Sequence, residues 1–421
     1  MIYNFVYDWV EPVEIPDENL IGVFLPKEYA QSGGEESVIR TGMENPIGSE
    51  RLRDEARGAE NVLILADDNT RPTPVAKLLP YILEELAEAG VPEDGISFLM
   101  SLGTHRPMTE TELDAKLGKD IRSRFRIYNH RWDDPSIMAN LGKTSAGNDI
   151  LVNRKITEAD FVIGIGNIVP HPAAGFAGGG KIVDPGCVSD ETCGAFHWES
   201  VKWPAKEVVG IRNNPMIQMI DEVAAKAGLK FIINTILDGK NRIVRVVAGD
   251  PVKAHESGCE TAIEVYGVTV PEAADIVLAD SHPADLEMWQ AVKGLCTADL
   301  VMKDGGVVIM ATPCPDGVSA EHPEVEEYGY RPFDEIVKLV NEGKISMVIG
   351  HHLVQGGRLI KRAKKVFLVS PCLTTEVIAR LGYEPAPTVS DALKAAFALM
   401  GTGARVAALQ SAAELFPVVH A

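Results

Sequence analysis

Short apolar runs alternate with amphipathic helical patterns along almost the whole chain, and no other feature restricts the fold as much. A strand buried on both faces reads as a continuous apolar run, and the crossover to the next parallel strand is usually a helix. The pattern therefore predicts an α/β protein with largely parallel sheets flanked by helices. The apolar runs place strands at 62–65, 96–100, 161–165, 231–236 and 242–247, then at 276–279, 307–311, 347–349 and 366–369. Helical spacing marks 75–89, 216–227, 253–266, 333–341 and 391–400. A chain of 421 residues exceeds one ordinary core, so two domains are expected. The segment 267–274 ends one βα series, which gives an N-terminal domain over 1–270 and a C-terminal domain over 271–400. The last stretch, 401–421, is expected to pack back on the first domain.

The net charge of −20, from 60 acidic and 40 basic residues, repels phosphate backbones and argues against nucleic acid as a partner. No apolar run reaches 18 residues, so no membrane span is expected. The first eight residues lack a basic region followed by an apolar one, so no signal peptide is expected either. The six cysteines, at 187, 193, 259, 296, 314 and 372, are irregularly spaced and form no CxxC. Reduced thiols in the cytoplasm follow from that spacing.

Ligands of open α/β sheets bind beyond the carboxyl ends of the strands, and three strand-ending loops of the first domain are chemically loaded. The loop after 62–65 reads Asp67-Asp68-Asn69-Thr70-Arg71-Pro72-Thr73-Pro74, with two carboxylates and a guanidinium suited to carboxylate recognition. The loop after 96–100 reads Ser101-Leu102-Gly103-Thr104-His105, and Thr109 with Glu112 forms a capping box that keeps His105 off the next helix. The loop after 161–165 carries His171 and runs through Gly178, Gly179 and Gly180 to Lys181. Three glycines before a lysine let backbone N–H groups approach an anion. Gly175 to Lys181 fits GxxxxGK, but Ile182 follows where a phosphate-binding loop needs Ser or Thr for magnesium. Gly164-Ile165-Gly166 lacks the third glycine of a dinucleotide fingerprint. Downstream, Cys187, Cys193 and His197 could be half a zinc site. In the second domain, Gln290 and Lys293 share a face of a presumed helix, and His351-His352 follows the expected strand 347–349.

Taken in order, the motifs DDNTRPTP at 67–74, SLGTH at 101–105, HPAAGFAGGGK at 171–181, His197 and QAVK at 290–293 resemble those of the nickel-pincer-nucleotide lactate racemases. The resemblance implies two α/β domains with the active site at their interface. It implies a cofactor that is a pyridinium-3-thioamide-5-thiocarboxylic acid mononucleotide carrying nickel. Lys181 would form the thioamide, His197 would ligate the metal, and Asp68 with Gly178, Gly179 and Gly180 would lie against the cofactor. His105 and His171 would be the paired acid/base groups, while Arg71, Gln290 and Lys293 would bind substrate. The implied activity is interconversion of the C2 stereoisomers of a 2-hydroxyacid, by reversible hydride transfer through a 2-keto acid. Separate maturation proteins would make the cofactor. The segment His351–Gln355 differs from that of lactate-specific members and widens the substrate class to larger 2-hydroxyacids. Two other readings stay open: a zinc hydrolase built on Cys187, Cys193 and His197, and a non-catalytic ligand-binding relative.

Overall fold

The computed structural model describes residues 1–29 and 33–420, and the chain divides into two compact units. One comprises Glu28–Ser200 with Gly210–Val265, and the other Met1–Lys27, Val201–Val209 and Tyr266–Ala421. Each is built on a six-stranded sheet. In chain order the twelve strands are β1 (Leu20–Phe24), β2 (Val62–Asp67), β3 (Ile96–Ser101), β4 (Arg126–Asn129), β5 (Phe161–Asn167), β6 (Leu229–Leu237), β7 (Ile243–Gly249), β8 (Ala274–Asp280), β9 (Met302–Ala311), β10 (Lys365–Val369), β11 (Glu384–Pro385) and β12 (Val406–Leu409).

The sheet of the first unit runs β7-β6-β5-β2-β3-β4 and is parallel except for the β6/β7 pair. Residues 62–66 of β2 are buried without a break, as the continuous apolar run requires of a strand covered on both faces. Val62, Ile64 and Ala66 share one core with Phe98, Met100, Ile163 and Ile165. The helix Val75–Glu88 closes that core with Val75, Leu78, Leu79, Ile82 and Leu86, spaced to form one apolar stripe. From β2 the chain builds outward to β3 and β4, then returns to place β5 on the other side of β2. The order reverses there, and the loops after β2 and β5 flank the switch point.

The sheet of the second unit runs β11-β10-β9-β8-β12-β1, and every pair is parallel. Two expectations change here. The last segment does not return to the first domain: its strand β12 pairs with β8 and β1 in the second sheet, while Ala421 lies outside the described residues. The first 27 residues also belong to the second unit, with Tyr3, Phe5, Val13 and Ile15 in its core. Both assignments depend on long-range strand pairing, which local periodicity does not encode.

The expected strand 347–349 is the first turn of a helix, Met347–Arg362. Ser346 accepts the Ile349 N–H as its cap, and Lys361 with Arg362 occupies the last turn. A three-residue apolar run cannot distinguish a strand from a buried helix start, and Gly356-Gly357 argues against a helix on propensity. Packing overrides that propensity: a Cβ on Gly356 would fall 2.2 Å from the Tyr330 ring. All six cysteines are free thiols, and no helix among the described residues is long and apolar enough to cross a membrane.

Candidate active site

The carboxyl ends of β2, β3 and β5 carry the residues picked out in the first unit. The β2 loop is shaped around Asp68. Its Oδ1 accepts the Thr70 N–H at 3.0 Å and the Thr70 hydroxyl at 2.5 Å, and its Oδ2 meets His105 Nδ1 at 2.6 Å. Burial pushes the Asp68 carboxyl up, but the charge and hydrogen bond of His105, with Arg71 and Thr70, outweigh it and hold the group well below the usual carboxylate range. Arg71 is anchored by the Thr70 hydroxyl at 2.7 Å. Beneath the loop, the buried Lys116 donates to the carbonyls of Asp68 and Arg71 at 2.8 and 2.9 Å.

The partners of the two histidines give them different proton states. An Asp68 carboxylate at Nδ1 requires a proton there, so neutral His105 presents a lone pair at Nε2. His171 is the reverse: its Nδ1 accepts the N–H groups of Ala173 at 3.1 Å and Ala174 at 3.3 Å, which places the proton of the neutral ring on Nε2. His171 is 8% exposed, on a short hairpin formed by Pro170–His171 with Gly175–Phe176.

Lys181 and His197 meet at Phe196. Lys181 Nζ lies 5.3 Å from the Phe196 ring centroid, and the His197 ring packs on the same phenyl at 3.9 Å. His197 Nδ1–H donates to the Cys193 carbonyl at 2.8 Å within the helix Asp190–Ser200, which places the lone pair of the neutral ring on Nε2. Burial, then the charge of Arg71, pushes the Lys181 amine down to about 7, against the opposing influence of Asp184 and Cys193. Asp184 is 2% exposed, and its Oδ1 has no hydrogen-bond partner. Burial drives this carboxyl up to about 8, and Lys181 opposes the shift. Burial thus favours the uncharged form of both groups, and an uncharged amine is a nucleophile.

The glycine run is held by a hydrogen bond and by close packing. The Gly179 N–H is engaged by Asn234 Oδ1 at 2.8 Å. A Cβ on Gly178 would lie 2.8 Å from Ile168, and one on Gly179 2.7 Å from the His255 ring. Close packing requires glycine at both positions, and at both φ is positive. The zinc reading finds no support. Among the described residues no three His, Cys, Asp or Glu side chains gather to hold a metal. Cys187 lies against the Ser101 hydroxyl at 3.2 Å, its thiol pushed up to about 12 by burial.

In the second unit Gln290 and Lys293 lie on the helix Met288–Val301, where Lys293 Nζ donates to Gln290 Oε1 at 2.6 Å. His351 and His352 are on the helix Met347–Arg362 rather than after a strand, and Trp289 stacks between His322 and His352 with both centroids at 4.2 Å. Sequence reasoning passed over Lys116, Asp184, Asn234 and His255. Only Asp184 left a local signal, its i+3 spacing from Lys181.

Residues 8–208 match the lactate racemase N-terminal domain, and residues 270–415 match the lactate racemase C-terminal domain. The chain belongs to the lactate racemase family. It is 31% identical over 403 residues to a lactate racemase of Thermoanaerobacterium thermosaccharolyticum, with 93% of each chain covered. It is 32% identical over 403 residues to a lactate racemase of Lactiplantibacillus plantarum, covering 93% of this chain and 94% of that one. The solved lactate racemase apoprotein from T. thermosaccharolyticum superposes with a TM-score of 0.87 at 30% identity, covering 97% of each chain. A Thermotoga maritima protein shares the fold at 20% identity and a TM-score of 0.75, over 93% of this chain and 100% of that one. As a member of this family the protein is an isomerase.

Proposed function

We propose that this racemase interconverts the C2 stereoisomers of lactate or a larger 2-hydroxyacid with a nickel pincer nucleotide held by Lys181 and His197. The observation that carries the reading is the pair of nitrogens around Phe196: a depressed, buried amine and an imidazole whose Nε2 lone pair is fixed by its neighbour's carbonyl. They fit the two anchors that such a cofactor needs, an acylatable amine and a neutral imidazole for nickel. When bound, the cofactor supplies a reversible hydride acceptor for the substrate C2–H.

The other residues supply positioning and proton transfer. Arg71 holds the substrate carboxylate. His105 takes the hydroxyl proton of one enantiomer at Nε2, with Asp68 fixing its tautomer and stabilising the imidazolium. His171 holds a proton at Nε2, where it hydrogen-bonds the substrate oxygen, and the proton that His105 has taken returns to that oxygen. Asp68 therefore acts through His105. Partner proteins that build the cofactor belong to the proposal.

The test is co-expression with cofactor-maturation proteins, followed by intact mass, nickel analysis and chiral chromatography of a 2-hydroxyacid panel. The expected result is a covalent adduct absent from Lys181→Ala, nickel absent from folded His197→Ala, and racemisation with C2 deuterium retained in the product enantiomer. An adduct that persists in Lys181→Ala, or solvent hydrogen at C2 from the first turnover, would sink the reading.

A further inference from the structure

The loop that ends at Lys181 is held from behind by two buried side chains from distant parts of the first unit. Asn234, on β6 and 1% exposed, accepts the Gly179 N–H at 2.8 Å while its own amide donates to the Ile233 carbonyl at 3.1 Å. His255, in the helix Lys253–Tyr266 and fully buried, meets the Ala177 carbonyl through Nε2 at 2.9 Å. A carbonyl only accepts, so Nε2 carries the proton, and the buried Nδ1, which lies against Gly179, has no partner. Burial, then the charge of Arg212, drives the ring down to about 3, so His255 stays neutral across the working pH range. The loop closes on itself as well: Ala177 N–H donates to the Val169 carbonyl at 2.8 Å, and Lys181 N–H to the Gly178 carbonyl at 3.2 Å.

We propose that Asn234 and His255 are positioning residues for Lys181, a rear clamp that fixes the 177–181 turn so that the lysine amine is delivered dry onto Phe196. The inference rests on the proposed role of Lys181, but its first test does not need the cofactor. The geometry explains why Gly179 is glycine: the imidazole plane occupies the space that a side chain would fill. It also gives the clamp a direction. His255 pulls on the carbonyl before the glycines and Asn234 on the N–H within them, so the turn is fixed at two points on either side of Gly178. Without the clamp the glycines would relax, and water would reach the lysine.

The test uses the apoprotein, acylated with acetic anhydride over a pH series, with Lys181 labelling read by peptide mass spectrometry. Wild type should reach half-labelling near pH 7. His255→Leu keeps bulk but removes the donor, and should move the Lys181 midpoint up by about one pH unit or more as the amine hydrates. His255→Gln, whose amide nitrogen reaches about the same place as Nε2, should restore the wild-type profile. Asn234→Leu removes the acceptor and should resemble His255→Leu. If a leucine variant does not fold, Gly179→Ala offers a second disturbance of the same contact, with the same upward shift expected. A wild-type Lys181 profile in folded His255→Leu and Asn234→Leu would overturn the proposal, as would failure of His255→Gln to restore it. In co-expressed protein the covalent adduct should fall about ten-fold in the leucine variants and recover in His255→Gln. No adduct in wild type would sink the reading of Lys181 as the cofactor lysine, while the labelling profiles would still decide the clamp.

Discussion

The pair Asp68–His105 decides which nitrogen of the imidazole carries the proton. Asp68 is 3% exposed and its carboxylate takes the Nδ1–H, so the lone pair of the neutral ring is at Nε2. Replacing the carboxylate by an amide keeps the shape but offers Nδ1 a donor, which reverses the tautomer. Asp68→Asn should therefore fold normally and lose about 10²- to 10⁴-fold in racemisation rate, measured by polarimetry with cofactor occupancy matched to wild type. A rate within about two-fold of wild type would show that His105 is not oriented by Asp68. Residues at this scale were legible in the sequence where they lie in contiguous motifs: Asp68, Arg71 and His105 come within four residues of a strand end, and His171 and Lys181 lie in the loop after β5. Asn234 and His255 were not. They reach the glycine turn from 55 and 78 positions away in the chain, and neither stands in a motif of its own.

At the scale of elements, one short helix braces two of the three active-site loops. The helix Glu110–Leu117 starts with the predicted capping box, in which Thr109 Oγ1 accepts the Glu112 N–H and Glu112 accepts the Thr109 N–H. Glu112 also holds the neighbouring loops, accepting Asn69 at 2.9 Å and Arg106 at 2.8 and 2.9 Å. The Arg106 hydrogen bonds, with those of Thr109 and against a smaller effect of burial, bring its carboxyl down to about 2. The folded value lies below the unfolded one of 4.5, so the stabilisation is fully present above pH 4.5 and is lost as pH falls toward 2. Glu112→Ala should lower stability by about 1 kcal/mol at neutral pH, and the gap to wild type should close in acid. Urea unfolding at pH 7 and at pH 3 measures it; a gap that is constant with pH would mean that the carboxylate charge contributes nothing. The capping box was readable because its signal is four residues long. The helix Met347–Arg362 was misread because its first turn mimics a strand and its paired glycines mimic a break; the approach of the Tyr330 ring to Gly356 and of the Arg331 carbonyl to Gly357 explains them.

At the scale of the whole molecule, alternation of strands and helices revealed the fold class, but not which strands share a sheet. The second unit is assembled from three separate stretches of chain, and its sheet is closed by β1 from the N-terminus, in register with β12: Leu20 opposite Val406 and Phe24 opposite Leu409. Ahead of β1, residues 2–3 pair with 13–14, and this hairpin delivers Tyr3, Phe5, Val13 and Ile15 to the core, each no more than 8% exposed. Burying four such side chains contributes roughly 6–12 kcal/mol, at about 1.5–3 kcal/mol apiece. A domain's net stability is only about 5–15 kcal/mol, so the hairpin and its strand are comparable with the whole margin. Deletion of residues 1–27 should therefore unfold the unit that contains 266–420 while the unit formed by 28–200 and 210–265 keeps its structure. Hydrogen exchange read peptide by peptide distinguishes the two. Peptides from β8, β9 and β12 should lose protection in the deletion, and those from β2, β3 and β5 should keep it. Equal protection of β8 and β12 in the deletion and the full chain would mean that the N-terminal strand decorates the second sheet rather than completing it.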